Sequence, residues 1–113
     1  MVTCDKQNGG CNGGWLTPSL NYLVSEGIVS DDCMPYSGTA GYCTYQCSDA
    51  STPYRKYGCK IGSITIQTTA DEIKLELMTN GPVMVGFTVY SDFMSYSNGI
   101  YKHEIGGVAG GHA

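Results

Sequence analysis

Apolar residues recur along this chain in two different periods, and the change falls near the middle. Leu16, Leu20, Leu23 and Val24 stand at helical spacing and make one apolar face. Thr17 reads as an N-cap, and Pro18 suits the first helical position, where its missing N–H removes no intrahelical bond. The pattern predicts a helix from about Thr17 to Glu26, with Gly27 as its stop. A second helix is predicted from about Ala70 to Thr79. Thr69 and Glu72 stand at capping-box spacing before it, and Asn80-Gly81-Pro82 closes it. Beyond that point Val, Ile, Phe and Tyr dominate and predict strands over Val83 to Tyr90 and Gly99 to Glu104, with a helical turn between them over 91–96. The chain is thus expected to divide near Pro53, into a cysteine-rich helical part, 1–52, and a strand-rich part, 53–113. This predicts an α+β chain.

Composition sharpens the picture. Of the 113 residues, 42% are apolar and 14% charged, which suits a folded chain and not a disordered one. Net charge is −4 with no basic cluster, so neither nucleic acid nor an anionic membrane is expected as a partner. No apolar run approaches the roughly 20 residues that cross a bilayer. Six cysteines, from Cys4 to Cys59, point to an oxidising compartment, yet no leader separates Met1 from Cys4. A mature product or a fragment fits both facts. Composition leaves the pairing open. A zinc site built on Cys43 and Cys47 lacks a second paired knuckle.

Two short motifs carry candidate chemistry. In Cys11-Asn12-Gly13-Gly14 the glycines tolerate a tight turn, and a missing Cβ at Gly14 lets an extended peptide exchange main-chain hydrogen bonds with it. In Gly110-Gly111-His112-Ala113 an imidazole stands among small residues, open to a backbone and a nucleophile on both sides. Alone, His112 reads more readily as a structural or solvated histidine than as a catalytic one, and Trp15 has a second reading as a core residue. His103, set in the predicted strand between Lys102 and Glu104, reads as bland.

Taken together, C-N-G-G and the stretch from Asn80-Gly81-Pro82-Val83 to His112 resemble the middle of a papain-like cysteine peptidase, close to its cathepsin B branch. The resemblance implies a papain-like two-domain fold, incomplete in this chain: 1–52 in the helical left domain, 53–113 in the right β-barrel domain. It implies a cysteine endopeptidase with His112 as the catalytic base. Gly13 and Gly14 would bind the substrate backbone. Trp15 and Leu16 would wall the pocket for the second side chain before the cut, Gly86 would line its floor, and Gly110 and Gly111 would flank the base. The pairings implied are Cys4–Cys43 and Cys33–Cys47, with the partner of Cys11 upstream and that of Cys59 downstream.

The same resemblance places the nucleophile, in a C-G-[SA]-C-[WY] motif, roughly 20 to 40 residues before Met1. The orienting asparagine would lie beyond Ala113. Neither is in this chain. Residues 34–42 between Cys33 and Cys43 are too few for the occluding loop of cathepsin B and hold no histidine, which implies an endopeptidase. Implied partners are peptide or protein substrates, cystatin-like inhibitors and the enzyme's own propeptide. No metal or organic cofactor is implied. The expected location is a lysosome-like acidic vacuole or the cell exterior. The rival reading is a pseudoprotease or secreted peptide-binding module. A free-standing disulfide domain fits two unpaired cysteines and an unfinished sheet poorly.

Overall fold

In the computed structural model, which describes residues 1–113, the first helix α1 covers Leu16–Ser25. It starts ahead of the predicted cap. Trp15, not Thr17, is the extended N-cap residue, and its own N–H donates to Asn8 Oδ1 at 2.6 Å. Pro18 therefore sits third in the helix, still within the first turn, where backbone N–H groups have no intrahelical partner. At the other end the N–H groups of Glu26 and Gly27 both donate to the Tyr22 carbonyl, at 2.9 and 3.2 Å. Gly27 takes φ +70°, and a Cβ there would lie 2.8 Å from the Tyr57 carbonyl oxygen. This glycine both ends the helix and admits a neighbouring chain segment.

That segment joins the first unit. Ile28 and Tyr57 exchange both N–H···O bonds at 2.7 Å, and Cys59 N–H donates to the Leu23 carbonyl at 3.1 Å. Residues just after 53 are thus tied to α1 and its exit, and the contacts divide the chain into Met1–Gln67 and Thr68–Ala113. Two disulfides staple the first unit: Cys4–Cys43 (Cα–Cα 4.9 Å) and Cys33–Cys47 (4.4 Å). These are the pairings the resemblance implies. Cys33 is the most buried side chain, with Cys47 buried beside it. Cys11 and Cys59 are free and exposed.

In the second unit α2 spans Ala70–Thr79, as predicted, with the capping box formed. Glu72 Oε2 accepts from the N–H groups of Thr68 and Thr69, both at 2.9 Å, and these bonds hold its carboxyl below the usual range. The strands differ from expectation. β1 is Phe87–Tyr90, a 3-10 turn follows over Ser91–Ser95, and β2 is Val108–His112, antiparallel to β1. Residues 99–104 form no strand. The N–H groups of Glu104 and Ile105 go to the Asp92 carboxylate, and no ladder forms there. The glycine-rich 108–112 pairs with β1 despite poor strand propensity, because propensity yields to the available partner edge. Val83 to Gly86 stay outside the pair. Two helices and an antiparallel pair remain an α+β arrangement.

Apolar cover is thin. Only Val89 joins the two cysteines among buried apolar residues, while Trp15, Met78 and Ile100 are 78, 88 and 92% exposed. The chain exposes 8838 Å². A folded monomer of its mass exposes about 6,000 Å², and two separate bodies of these sizes about 7,000 Å². Residues 1–113 expressed alone are therefore expected to self-associate and to melt without a cooperative transition. Size-exclusion chromatography with a thermal melt checks this, and a monomer with a sharp melt contradicts it. No helix is long and apolar enough to cross a membrane.

Candidate active site

His112 closes β2, opposite Phe87. Thr88 faces Gly111, Val89 faces Gly110 and Tyr90 faces Val108, so the register skips Ala109 and β2 carries a bulge there. The His112 imidazole is exposed, with its ring centroid 5.8 Å from that of Phe87. Behind Phe87 lies an aromatic cluster. Phe93 meets Phe87 edge-on at 5.5 Å, Tyr101 meets Phe93 edge-on at 4.9 Å, and Tyr96 stacks on Phe93 at 5.7 Å. The imidazole thus has a packed aromatic support and a strand before it without side chains at 110 and 111. An acid–base group placed so can exchange a proton with a group approaching from solvent.

The strongest polar convergence is at Asp92. Its carboxylate accepts from Glu104 N–H (2.8 Å), Ile105 N–H (3.2 Å), Tyr101 O–H (2.7 Å) and His103 Nδ1 (3.1 Å). These bonds, the Glu104 N–H foremost, hold the Asp92 carboxyl far below the usual carboxylate range. Burial, with the Asp92 bond adding to it, pushes the Tyr101 hydroxyl up to about 12. A carboxyl made more acidic by folding stabilises the fold above about pH 3.9, and that contribution is lost as pH falls through its folded value. His103 is not bland: it stacks on Tyr90 at 3.7 Å, outside any strand. No local signal marks Asp92, because its partners lie about a dozen residues onward.

In the first unit the C-N-G-G stretch forms a 3-10 turn over Gly10–Asn12, followed by Gly13 at φ +95°. Asn8 straps the loop shut. Its Nδ2 donates to Asp5 Oδ2 at 2.6 Å and to Ser19 Oγ at 3.2 Å, while its Oδ1 receives Trp15 N–H. Asp5 is buried and also accepts Gln7 N–H at 2.9 Å. A Cβ on Gly14 would overlap Asn8 Oδ1 and lie 2.6 Å from its Cγ, so Gly14 has a packing reason to be glycine besides any contact with substrate. Gly14→Ala in the full-length protein is expected to cost about 1–3 kcal/mol in urea unfolding. Asn8→Ala is expected to relieve most of that cost. Additive losses in the double variant would show that Asn8 is not the obstacle.

The residues expected at the site fall into two groups, Gly13 to Leu16 in the first unit and Gly86 with Gly110 to His112 in the second. Trp15 is exposed rather than core. The profile of the papain family cysteine proteases matches residues 1–113 throughout. The chain belongs to the papain family. Within it the chain is 39% identical to Cathepsin B-like CP3 of Giardia intestinalis, over all of this chain and 39% of that protein. It is 35% identical to Cathepsin B of Dictyostelium discoideum, over 99% of this chain and 41% of that one. Among solved structures it matches proCathepsin B S9 from Trypanosoma congolense with a TM-score of 0.81 and 36% identity, over 97% of this chain and 40% of that chain. The chain thus carries part of a papain-like fold and spans about two fifths of the length of these relatives.

Proposed function

We propose that this chain is the segment of a cysteine-type endopeptidase that carries the catalytic base, His112, and part of the substrate cleft. The observation that supports it best is the papain-family match across all 113 residues, with an exposed His112 on a strand cleared of side chains at 110 and 111. In the reaction proposed, His112 takes the proton of a cysteine thiol upstream of Met1. The thiolate attacks the peptide carbonyl, the C–N bond breaks, and His112 returns the proton to the leaving amine. Water then hydrolyses the thioester and regenerates the thiol. Oxyanion donors and the orienting asparagine come from outside residues 1–113.

In this reading residues 1–52 belong to the helical left domain and 53–113 to the right β-barrel domain. Gly13 and Gly14 bind the substrate main chain. Trp15 and Leu16 wall the pocket for the side chain two residues before the cut and favour an apolar one. Peptides and proteins are the substrates, and a propeptide and cystatin-like proteins the inhibitors. An acidic vacuole or the secreted space suits the disulfides.

With residues 34–42 too short for an occluding loop, the enzyme cuts within chains and releases C-terminal dipeptides slowly. Mass spectrometry of digests of a long peptide checks this, and rapid successive loss of C-terminal dipeptides contradicts it. The first test of the reaction is to extend the coding sequence both ways and assay the full-length protein on peptides. A C-G-S-C-W-like motif upstream, Asn-Ser-Trp downstream and hydrolysis support the peptidase. A serine or glycine at the nucleophile position, with peptide binding but no hydrolysis, supports a pseudoprotease.

A further inference from the structure

The strand that carries His112 has little of its own to fix its register. Val-Ala-Gly-Gly-His offers two glycines where cross-strand side-chain pairs would normally choose one alignment, and glycine-rich strands are prone to slip. A slip of one residue would turn every side chain of β2 to the opposite face, and His112 with them. The observed alignment contains a bulge at Ala109. Something outside β2 must hold it.

The approach to β2 is clamped at its first end. Asp92 holds the N–H groups of Glu104 and Ile105 and the side chains of Tyr101 and His103. Ser91 N–H donates to the Gly107 carbonyl at 3.0 Å, and a Cβ on Gly106 would overlap Ser91 Oγ. His103 is stacked on Tyr90, the residue that pairs with Val108 across the bulge. Residues 101–107 are thus fastened to 90–92 immediately before β2 begins. Tyr101 also reaches back through Phe93 and Phe87 to the imidazole itself.

We propose that Asp92 is a positioning residue for His112: its carboxylate fixes where the chain enters β2, and so the bulge that sets the face from which the imidazole projects. This rests on the reading of His112 as the catalytic base. Asp92 touches neither substrate nor His112, so its removal is expected to act on turnover and leave substrate binding alone.

The test uses the full-length protein. Asp92→Ala is expected to lower kcat by about 10- to 100-fold, the loss typical of a misplaced catalytic group, with KM changed by no more than roughly twofold. Asp92→Asn, with its amide turned so that the carbonyl oxygen takes the place of Oδ2 and accepts the Glu104 and Ile105 N–H groups, is expected to recover most of it. Tyr101→Phe removes one hydrogen bond of the clamp, and a smaller loss in kcat is expected; it stands in if Asp92→Ala does not fold. The rate of His112 modification by diethyl pyrocarbonate reads the imidazole directly, with or without peptidase activity, and is expected to change in Asp92→Ala. Folded variants with wild-type kcat and an unchanged modification rate would overturn the proposal. An inert wild type whose His112 modification rate still shifts in Asp92→Ala would overturn the peptidase reading and leave the positioning role standing.

Discussion

Replacing His112 with alanine in the full-length protein is expected to lower kcat/KM for a peptide substrate by about 10³-fold or more. Both proton transfers of the proposed reaction pass through this ring, so its loss leaves the thiol protonated and the leaving amine without a donor. The expected effect on stability is small. The ring is exposed and its aromatic contact is Phe87 alone, and surface changes of that kind stay within about 0.5 kcal/mol. A large loss of turnover at an unchanged urea midpoint therefore separates chemistry from folding. Retained hydrolysis in a folded His112→Ala variant would remove His112 from the mechanism.

The second large effect is expected at Cys33–Cys47. Chain entropy alone ranks the other disulfide higher: Cys4–Cys43 spans a sequence separation of 39 against 14. The difference amounts to about 1 kcal/mol. Burial works the other way. Cys33 is 1% exposed and Cys47 7%, and each serine put in their place buries a hydroxyl at about 1–3 kcal/mol unless it finds a partner. Burial wins on these magnitudes. The Cys33→Ser/Cys47→Ser variant is expected to lose about 5 kcal/mol or more, roughly 3 from loop closure and the rest from the two buried hydroxyls, and to fall below Cys4→Ser/Cys43→Ser in urea midpoint. The opposite order would mean that loop closure, not burial, decides.

What the sequence made legible was local. The capping box at Thr69 and Glu72, the stop at Gly27 and the end of α2 at Asn80-Gly81 each depend on groups within a few residues, and each forms. Failures came where distant groups compete. Thr17 is a good cap by type, but Asn8 holds the Trp15 N–H and starts the helix earlier. Residues 99–104 have strand composition, yet Asp92 takes the next backbone donors and the pairing moves to 108–112. Tyr57 and Cys59 bond back to Ile28 and Leu23, pairings that no local signal marks. Of the candidate site, the glycines and His112 were visible as a motif. Asn8, Asp5 and Asp92 were not, because what marks them is convergence in space.

The most direct test of the central claim is the pH dependence of thiol alkylation in the full-length protein, with and without His112. An ordinary cysteine alkylates in step with a pKa near 8.5. A thiolate held by the His112 imidazolium is expected to react rapidly already at about pH 5–6, and the His112→Ala variant to shift toward the ordinary profile. A wild-type protein with no cysteine reactive below neutral pH, or a His112→Ala variant with an unshifted profile, would contradict the account.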